Sequence, residues 1–440
     1  MIAGFSSFYK IFRYMMKSKT RTIAAIDIGS EKVTTLIANL QTELSDMSTT
    51  INVTGVSASE SGEGRGIKKG QIVNLEEAIE VVIESVESAE RMAGYNITKA
   101  FVSLGGAHIS SINSHGVVAI SNPEGEITHD DVNRVIEAAS AVNLPATRVL
   151  VHVLPREYIV DGENGIKDPL RMEGVRLEAE AHLITASASA VKNIEKVLDE
   201  AGIKIEDFVY SGIAASDAVL SKTEKELGCV LLDIGGGTTS IAVYEEGSIN
   251  YSYVLPIGSR NVTKDLATGL RVSLESAEKI KLSLHTSDKR AGIDSDDQID
   301  LTKYGIDEDK RVSRKTVVEG IIRPRLNEIF SMVKVQLEKE KLINKVPSGV
   351  IITGGGAQVF GVEESGKRML SLPVRIGKPR GVQGLVDEIM NPSFSVPIGL
   401  LINASKKESK DHLTGTTKRL KLPTIRFGGK LSKIFKDLLP

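Results

Sequence analysis

Short apolar runs that end in glycine predict three strand-and-turn elements along the chain. Residues 21–40 (RTIAAIDIGSEKVTTLIANL) and 228–249 (GCVLLDIGGGTTSIAVYEEGSI) each contain an apolar strand, an Asp-Ile-Gly turn with hydroxyl residues, and a second strand. Residues 348–365 (SGVIITGGGAQVFGVEES) indicate a strand, a Gly-Gly-Gly turn and a helix. Because the first two elements share order and spacing, we interpret them as a duplicated β-hairpin. Such a duplication predicts two similar lobes that face one another.

Apolar residues at helical spacing predict five helices, at 74–94, 129–142, 187–202, 273–285 and 315–340. Gly94 and Gly202 are expected to terminate two of these helices, and Pro324 is expected to bend the last one. Two strand-like runs, at 116–121 and 148–160, flank the helix at 129–142. Residues 103–181 are therefore predicted to form an inserted βα subdomain.

The final residues, 427–440, predict a short helix with one apolar face. Apolar positions follow an i, i+3, i+4, i+7, i+8 pattern and lysines lie on the other face: Leu431, Ile434, Phe435, Leu438 and Leu439 against Lys430, Lys433 and Lys436. Such a helix is too short to be stable alone in water, and we interpret it as a membrane-targeting segment whose lysines contact anionic lipids. Docking on the protein's own body is the alternative. Residues 404–426 argue against it, because they have the polar, basic composition of a flexible linker.

The charge distribution also favours an anionic surface as partner. The net charge is −2 over 440 residues, yet residues 404–440 carry ten Lys/Arg and three Asp/Glu, a net of +7. Residues 1–21 form a second basic end, an N-terminal extension without the uninterrupted apolar stretch of a secretory signal. A second membrane contact, or a translation start at Met15 or Met16, are open alternatives for it. No apolar run reaches the length of about 18 residues that a membrane span needs, and the single cysteine, Cys229, excludes a disulfide within the chain.

The glycine turns carry the chemistry that the sequence predicts. In Asp-Ile-Gly-Gly-Gly-Thr-Thr (233–239), glycines let the backbone approach a ligand closely. Their N–H groups can bind an anion together with the threonine hydroxyls, and Asp233 is suited to hold Mg²⁺ through water. One glycine turn alone is more often a plain turn. Two turns with Asp at the same position, and a third glycine cluster, favour nucleotide phosphates as the ligand.

The order of these motifs resembles the actin/Hsp70/sugar-kinase superfamily, in which two Asp-x-Gly hairpins hold the phosphates of ATP and a last glycine loop supports the adenosine. Residues 22–403 more closely resemble the FtsA family of bacterial cell-division actin homologues, on segments that include RGIKKGQIVNLEEAIEVVIESVESAERMAG, SLGGAHI and LLDIGGGTTSIAVYEEGSI. The insert at 103–181 resembles that family's subdomain 1C, and the basic amphipathic C-terminus is its other hallmark. The N-terminal extension departs from the family pattern.

The resemblance assigns ligand contacts to residues of this sequence. It implies ATP phosphate contacts at Asp27, Gly29, Ser30, Asp233, Gly235, Gly236, Gly237 and Thr238, and adenosine contacts at Glu278, Lys281, Gly354, Gly355 and Gly356. It implies Mg²⁺ held through water near Asp27 and Asp233, which are also the candidate catalytic residues. Weak or absent ATPase activity is expected. Hinges are implied at 210–220 and 394–401.

The implied fold class is α/β, a two-lobed actin-like ATPase fold with duplicated RNase H-like lobes, an inserted 1C subdomain and a C-terminal amphipathic helix. The implied segments are, in order, the N-terminal extension (1–21), lobe 1 (22–102), the 1C insert (103–181), lobe 1 again (182–213), lobe 2 (214–374, subdomains 2A and 2B), the end of lobe 1 (375–403), the linker (404–426) and the amphipathic helix (427–440).

The function that the resemblance implies is that of an ATP-binding cell division protein. It would polymerise at the cytoplasmic face of the inner membrane, at the septum, and tether FtsZ filaments there. Its implied partners are FtsZ, further copies of itself, later divisome membrane proteins recruited through 1C, and anionic lipids, with no nucleic acid. Three alternatives stay open: a sugar- or acetate-type kinase, for which no distinct substrate motif is found; a pilus-assembly actin homologue, which shares the insert; and an Hsp70-like chaperone, which would need a further domain after residue 403.

Overall fold

A computed structural model of the chain describes residues 19–42, 49–60, 65–122, 124–287, 298–305 and 311–413. The N-terminal extension up to residue 18, the second half of the predicted linker and the predicted helix at 427–440 lie outside the described residues. Those segments therefore stay predictions.

Strands and helices alternate along the described chain. The strands are β1 (Lys19–Ile28), β2 (Lys32–Thr42), β3 (Thr49–Glu60), β4 (Ile67–Lys68), β5 (Gln71–Ile72), β6 (Lys99–Leu104), β7 (Ser110–Ala119), β8 (Arg148–Val160), β9 (Glu163–Ile166), β10 (Arg176–Ser187), β11 (Lys204–Tyr210), β12 (Cys229–Ile234), β13 (Thr239–Glu245), β14 (Ser248–Leu255), β15 (Gln298–Asp300), β16 (Arg311–Ser313), β17 (Val350–Thr353), β18 (Val374–Ile376) and β19 (Gln383–Gly384). The α-helices are α1 (Leu75–Ala93), α2 (His129–Ser140), α3 (Ala188–Glu200), α4 (Ser211–Val219), α5 (Lys222–Leu227), α6 (Arg260–Leu270), α7 (Leu274–Ser287), α8 (Arg314–Val317), α9 (Arg323–Lys339), α10 (Val362–Leu370), α11 (Val386–Ile389) and α12 (Ser395–Leu413). Single turns of 3₁₀-helix lie at Leu301–Tyr304, Ile343–Lys345, Gly355–Gln358 and Pro392–Phe394.

Two sheets repeat one strand order, which confirms the predicted duplication. The sheet of lobe 1 contains the order β3-β2-β1-β6-β11, with β19 added at the β3 edge, and the sheet of lobe 2 has the order β14-β13-β12-β17-β18. In both sheets the first three strands are antiparallel and the last two run parallel to the central strand. The two predicted hairpins are β1–β2 and β12–β13, and they occupy equivalent places in the two sheets.

Apolar burial on both faces explains why the hairpin strands are central. All six residues of β12 are buried, as expected for a strand covered by helices on both sides. The larger core is built on β1, β2, β6 and α1 and also includes residues from one face of the lobe 2 sheet, such as Leu231 and Ala242. A second core is built on the other face of that sheet and on α9. The central strands, β1 and β12, both end at a cleft between the two lobes.

The helix ends follow the predicted signals. Asn74 caps α1 by accepting from the Glu76 N–H, and Gly94 ends it with a φ of +80°. Gly202, with a φ of +73°, follows one residue after the cap residue Ala201 of α3. Glycine suits both positions, because residues with a Cβ atom rarely adopt a positive φ.

The inserted subdomain is a four-stranded antiparallel sheet in the order β7-β10-β8-β9, covered by α2. Gly116 in β7 lets α2 pack closely, since a Cβ there would lie 2.5 Å from the carbonyl oxygen of Val135. The last insert strand, β10, runs to Ser187, which is beyond the predicted end at residue 181. The chain connects the insert to lobe 1 near Ser110 and again near Thr185. Arg148 holds these two connections together by donating to the hydroxyl of Ser110 and to the carbonyl oxygen of Thr185.

Two segments differ from the sequence prediction. The helix predicted at 315–340 is interrupted by a π-helical turn at Val318–Ile322, and Pro324 follows in the first turn of α9, where its missing N–H costs nothing. Helix α12 continues to Leu413, so the predicted linker at 404–426 is helical over its first part. The reason is visible at Ala404, which is fully buried in the core of lobe 1. Among the described helices, none is long and apolar enough to cross a membrane.

Candidate functional site

A cleft of about 380 Å³ lies where the two hairpin turns meet. Most residues that the sequence singles out for a ligand line this cleft: Asp27, Gly29, Ser30, Asp233, Gly235, Gly236, Thr238, Glu278, Lys281, Gly354 and Gly355. The structure thus brings together residues that are far apart in sequence. Two predicted residues do not line the cleft. Gly237 packs against Ser30, and Gly356 packs against Ile234.

Close backbone approaches explain the glycines of the three turns. The Gly29 N–H donates to the Lys32 carbonyl oxygen, and the Gly235 N–H donates to the Thr238 carbonyl oxygen, at 3.1 and 2.8 Å. Gly354 has a φ of +83°, and a Cβ there would lie 2.3 Å from Oδ1 of Asp233. A side chain at Gly354 would therefore displace the carboxylate at the centre of the site.

Two aspartates face the cleft from the ends of the two central strands. Ser103 Oγ donates to Asp27 Oδ1 at 2.6 Å, and Asp233 is only 9% exposed. Burial raises the pKa of Asp27, opposed by the Ser103 hydrogen bond and by Lys32. Burial, with the negative charge of Asp27, raises the pKa of Asp233 to about 7.

This pair of carboxylates fits a divalent cation. Oxygen donors are what Mg²⁺ prefers, and a cation between the two groups would relieve their mutual repulsion. Within the described residues no group of three or more His, Cys, Asp or Glu side chains is arranged to hold a metal. A cation at this place would therefore complete its coordination with water and with oxygen atoms of a ligand.

Glu278 and Lys281 lie on α7, one turn apart, at another wall of the cleft. Lys281 Nζ is 2.7 Å from Glu278 Oε2, and both side chains bond to the hydroxyl of Thr263, at 2.6 and 3.0 Å. Lys281 is only 6% exposed. The network fixes a buried ammonium and a carboxylate at positions where both can recognise polar ligand groups.

Sequence reasoning missed several lining residues. Lys32 Nζ lies 4.0 Å from the centre of the Phe394 ring and 3.4 Å from Ser393 Oγ; burial lowers its pKa, opposed by Asp27. Its position directly after the first turn was a usable signal. Ser103 and Gly70 carried no such signal, because strand pairing and a distant loop bring them to the site.

The duplicated lobes, the shared strand order and the two Asp-Gly turns around one cleft define an actin-like ATPase fold. Solved structures with this fold are similar to the chain. A chain of the PilM-PilN type IV pilus biogenesis complex superposes with a TM-score of 0.59 at 16% identity, covering 87% of this chain and 98% of that one. MreB5 of Spiroplasma citri bound to AMPPNP superposes with a TM-score of 0.52 at 15% identity, covering 90% and 100%.

Sequence comparison defines the family within this fold. The family model "SHS2 domain inserted in FTSA" matches residues 106–185, and "Cell division protein FtsA" matches residues 230–399. Cell division protein FtsA of Pseudomonas aeruginosa is 36% identical over 390 residues, covering 88% of this chain and 90% of the relative. FtsA of Escherichia coli K12 is 32% identical over 428 residues, covering 96% and 98%.

The chain belongs to the FtsA family of cell division proteins. The first family model covers most of the predicted insert and, like β10, extends past residue 181. This membership does not favour the alternatives of a small-molecule kinase, a pilus-assembly protein or an Hsp70-like chaperone.

Proposed function

We propose that the cleft binds ATP together with Mg²⁺. The observation that carries this proposal is the pair of buried aspartates, Asp27 and Asp233, whose pKa values are both raised and which face one cavity between two glycine turns. Paired carboxylates beside glycine turns that line the same cleft suit a metal-bound polyphosphate. A fold neighbour, MreB5, is described as bound to AMPPNP.

Different residues of the cleft contact different parts of the ATP molecule. Backbone N–H groups of Ser30, Gly236 and Thr238 contact phosphate oxygens, and Lys32 adds a positive charge in the same cleft. Glu278, Lys281, Gly354 and Gly355 contact the adenosine. Asp27 and Asp233 would hold Mg²⁺ through water, and the cation would supply positive charge beside the phosphates.

Hydrolysis is expected to be slow or absent. The described cleft offers carboxylates that order a cation and a water, but sequence reasoning finds no separate catalytic base. Asp27 and Asp233 are the candidates if hydrolysis occurs. Rapid phosphate release in a single-turnover assay would contradict this part of the proposal.

Titration with a fluorescent ATP analogue tests the nucleotide site. The wild-type chain is expected to bind in a Mg²⁺-dependent manner, and Asp233→Asn is expected to lose most of that dependence. Asp130→Asn is the matched control, because the Asp130 side chain lies on α2 of the insert and is 78% exposed. Wild-type binding that ignores Mg²⁺, or equal binding by Asp233→Asn, would contradict the assignment.

At the level of the cell, we propose a peripheral protein of the cytoplasmic membrane face at the division site. ATP-bound copies assemble into polymers, the segment 427–440 attaches them to anionic lipid, and the polymers tether FtsZ filaments and recruit later divisome membrane proteins. Family membership and the amphipathic pattern of the C-terminus support this proposal. Many weak membrane contacts in one polymer would add up through avidity.

Co-sedimentation with anionic vesicles tests the membrane attachment. The full chain is expected to sediment with vesicles, more strongly with Mg-ATP, whereas a chain that ends at Arg426 stays in solution. A chain that begins at Met15 serves as a control for the N-terminal end. Equal sedimentation of the full and C-terminally shortened chains would remove the anchor role from residues 427–440.

A further inference from the structure

An ion pair crosses between the two lobes beside the glycine turns. Arg260 Nη1 lies 3.0 Å from both carboxylate oxygens of Glu31. Glu31 belongs to the β1–β2 turn of lobe 1, and Arg260 is the first residue of α6 in lobe 2. The pair therefore connects the two lobes directly at the end of the cleft where the turns meet.

The backbone fixes Arg260 to the second turn. Its N–H donates to the Gly236 carbonyl oxygen at 2.9 Å, and the Ser259 N–H donates to the Gly235 carbonyl oxygen at the same distance. A Cβ on Gly258 would lie 2.5 Å from both of these carbonyl oxygens. The start of α6 thus packs directly on the turn, which fixes the backbone position from which the Arg260 side chain extends.

Glu31 reaches Arg260 by passing over Gly236. A Cβ on Gly236 would lie 2.9 Å from Oε2 and 3.0 Å from Cβ of Glu31. Glu31 also lines the cleft, and its side chain is 45% exposed, against 17% for Arg260. The pair is consequently at the solvent-facing edge of the cleft, directly against the second turn.

The lobes have a second, buried connection. Ser211 Oγ and Ser240 Oγ share a hydrogen bond of 3.1 Å, and the Tyr210 hydroxyl donates to the Ile241 carbonyl oxygen at 3.1 Å. Because a partly exposed ion pair exchanges its partner for water more readily than buried groups do, the Glu31–Arg260 pair is the weaker connection. Because it joins the first turn to the helix packed on the second turn, it must break when the two turns separate.

We propose that Glu31 and Arg260 form an interlobe clasp that sets how long a nucleoside phosphate stays in the cleft. This inference rests on the proposed nucleotide binding. A ligand held between the two turns leaves when they separate, and the clasp opposes that separation. Neutralising either partner is expected to raise the rate constant of nucleotide dissociation about fivefold, equivalent to about 1 kcal/mol.

Stopped-flow displacement of a fluorescent ATP analogue by excess ATP measures the dissociation rate in the full chain. Glu31→Gln, Arg260→Gln and the double variant are expected to accelerate dissociation by the same factor, because each breaks one and the same pair. Glu363→Gln is the control, since it breaks an exposed ion pair with Lys367 within α10, and its rate should match that of the wild type. Added salt should accelerate dissociation by a larger factor in the wild type than in the variants, because only the wild type has the pair to screen.

The clasp is overturned if dissociation is unchanged in both single variants. It is also overturned if the double variant accelerates dissociation by the product of the two single effects. Neither result affects the proposal that the cleft binds a nucleotide. Failure of the wild type to bind any nucleotide overturns the proposed function instead. Hydrogen exchange of the nucleotide-free protein then tests the clasp by itself. Glu31→Gln should speed exchange at the N–H groups of Gly235 and Arg260, and equal exchange overturns the clasp.

Discussion

Helices α4 and α12 cross at Gly399, and replacing this glycine by alanine should separate them. A Cβ on Gly399 would lie 1.7 Å from the carbonyl oxygen of Ala214 and 2.3 Å from its carbonyl carbon. Both atoms belong to the Ala214 backbone, so no side-chain rotation can relieve the overlap. The two segments that the family resemblance implies as hinges, 210–220 and 394–401, meet at this contact.

The magnitude follows from two opposing effects. Alanine is favoured over glycine in a helix interior by about 1 kcal/mol, whereas overpacking a tight core typically costs about 1–3 kcal/mol and sometimes more. Because the overlap is with backbone and Ala214 is fully buried, the upper end of that range applies. Gly399→Ala should therefore lower the free energy of unfolding by about 2 kcal/mol or more.

Equilibrium urea unfolding, followed by far-UV circular dichroism and tyrosine fluorescence, measures this effect; the chain has nine tyrosines and no tryptophan. Gly320→Ala is the matched control, because Gly320 lies in the π-helical turn with no atom within 4 Å of an added Cβ. The control should be neutral or slightly stabilising. A Gly399→Ala midpoint equal to or above that of Gly320→Ala would refute the packing argument.

Three further predictions concern the site and the insert. Burial raises the pKa of Asp233 to about 7 from an ordinary value of 3.8. The folded protein therefore holds this proton more tightly, and the free energy of unfolding falls as pH rises between those values. Asp233→Asn should reduce the difference in that free energy between about pH 5 and about pH 8, measured by urea unfolding; an unchanged difference would contradict the prediction. Gly354→Ala, with its positive φ and a contact of 2.3 Å to Asp233, should weaken binding of a fluorescent nucleotide by at least about tenfold; affinity equal to wild type would contradict the close approach. Arg148→Met removes the donor to the carbonyl oxygens of His108 and Thr185, and each unsatisfied carbonyl should cost about 1–3 kcal/mol of stability. Hydrogen exchange in β7 and β8 should therefore become faster. Unchanged exchange would show that Arg148 does not hold the base of the insert.

Local pattern was sufficient to predict the elements that carry the site. Each hairpin is a contiguous stretch in which apolar strands flank a glycine turn, so strand type, turn and aspartate position could all be inferred without tertiary information. One strand of the insert was predicted for the same reason, since β8 matches the predicted run at 148–160. Because two hairpins resemble each other, even the two-lobed arrangement could be inferred.

Contacts made across the fold could not be predicted in this way. Ser103 reaches Asp27 only because β6 pairs parallel to β1, and Gly70 donates to Ser30 Oγ from a separate small hairpin. The ion pair between Glu31 and Arg260 joins residues 229 positions apart. Neither partner has a periodicity or motif that marks it.

Polar composition misplaced the boundary of the linker. Lysine, glutamate and serine after residue 404 are typical of a flexible segment, but lysine and glutamate are also good helix formers. Burial of Ala404 anchors α12 in lobe 1, and the helix then continues to Leu413. Composition alone does not distinguish a solvent-exposed helix end from a linker.

Vesicle flotation with purified FtsZ tests most directly whether the chain is an ATP-dependent link between FtsZ and membrane. FtsZ, anionic vesicles and Mg-ATP are combined with either the full chain or the chain that ends at Arg426. FtsZ is expected to float with the vesicles only in the presence of the full chain, and to float less when ATP is omitted. FtsZ that stays in solution although the full chain is vesicle-bound, or that floats equally well with the shortened chain, would contradict it.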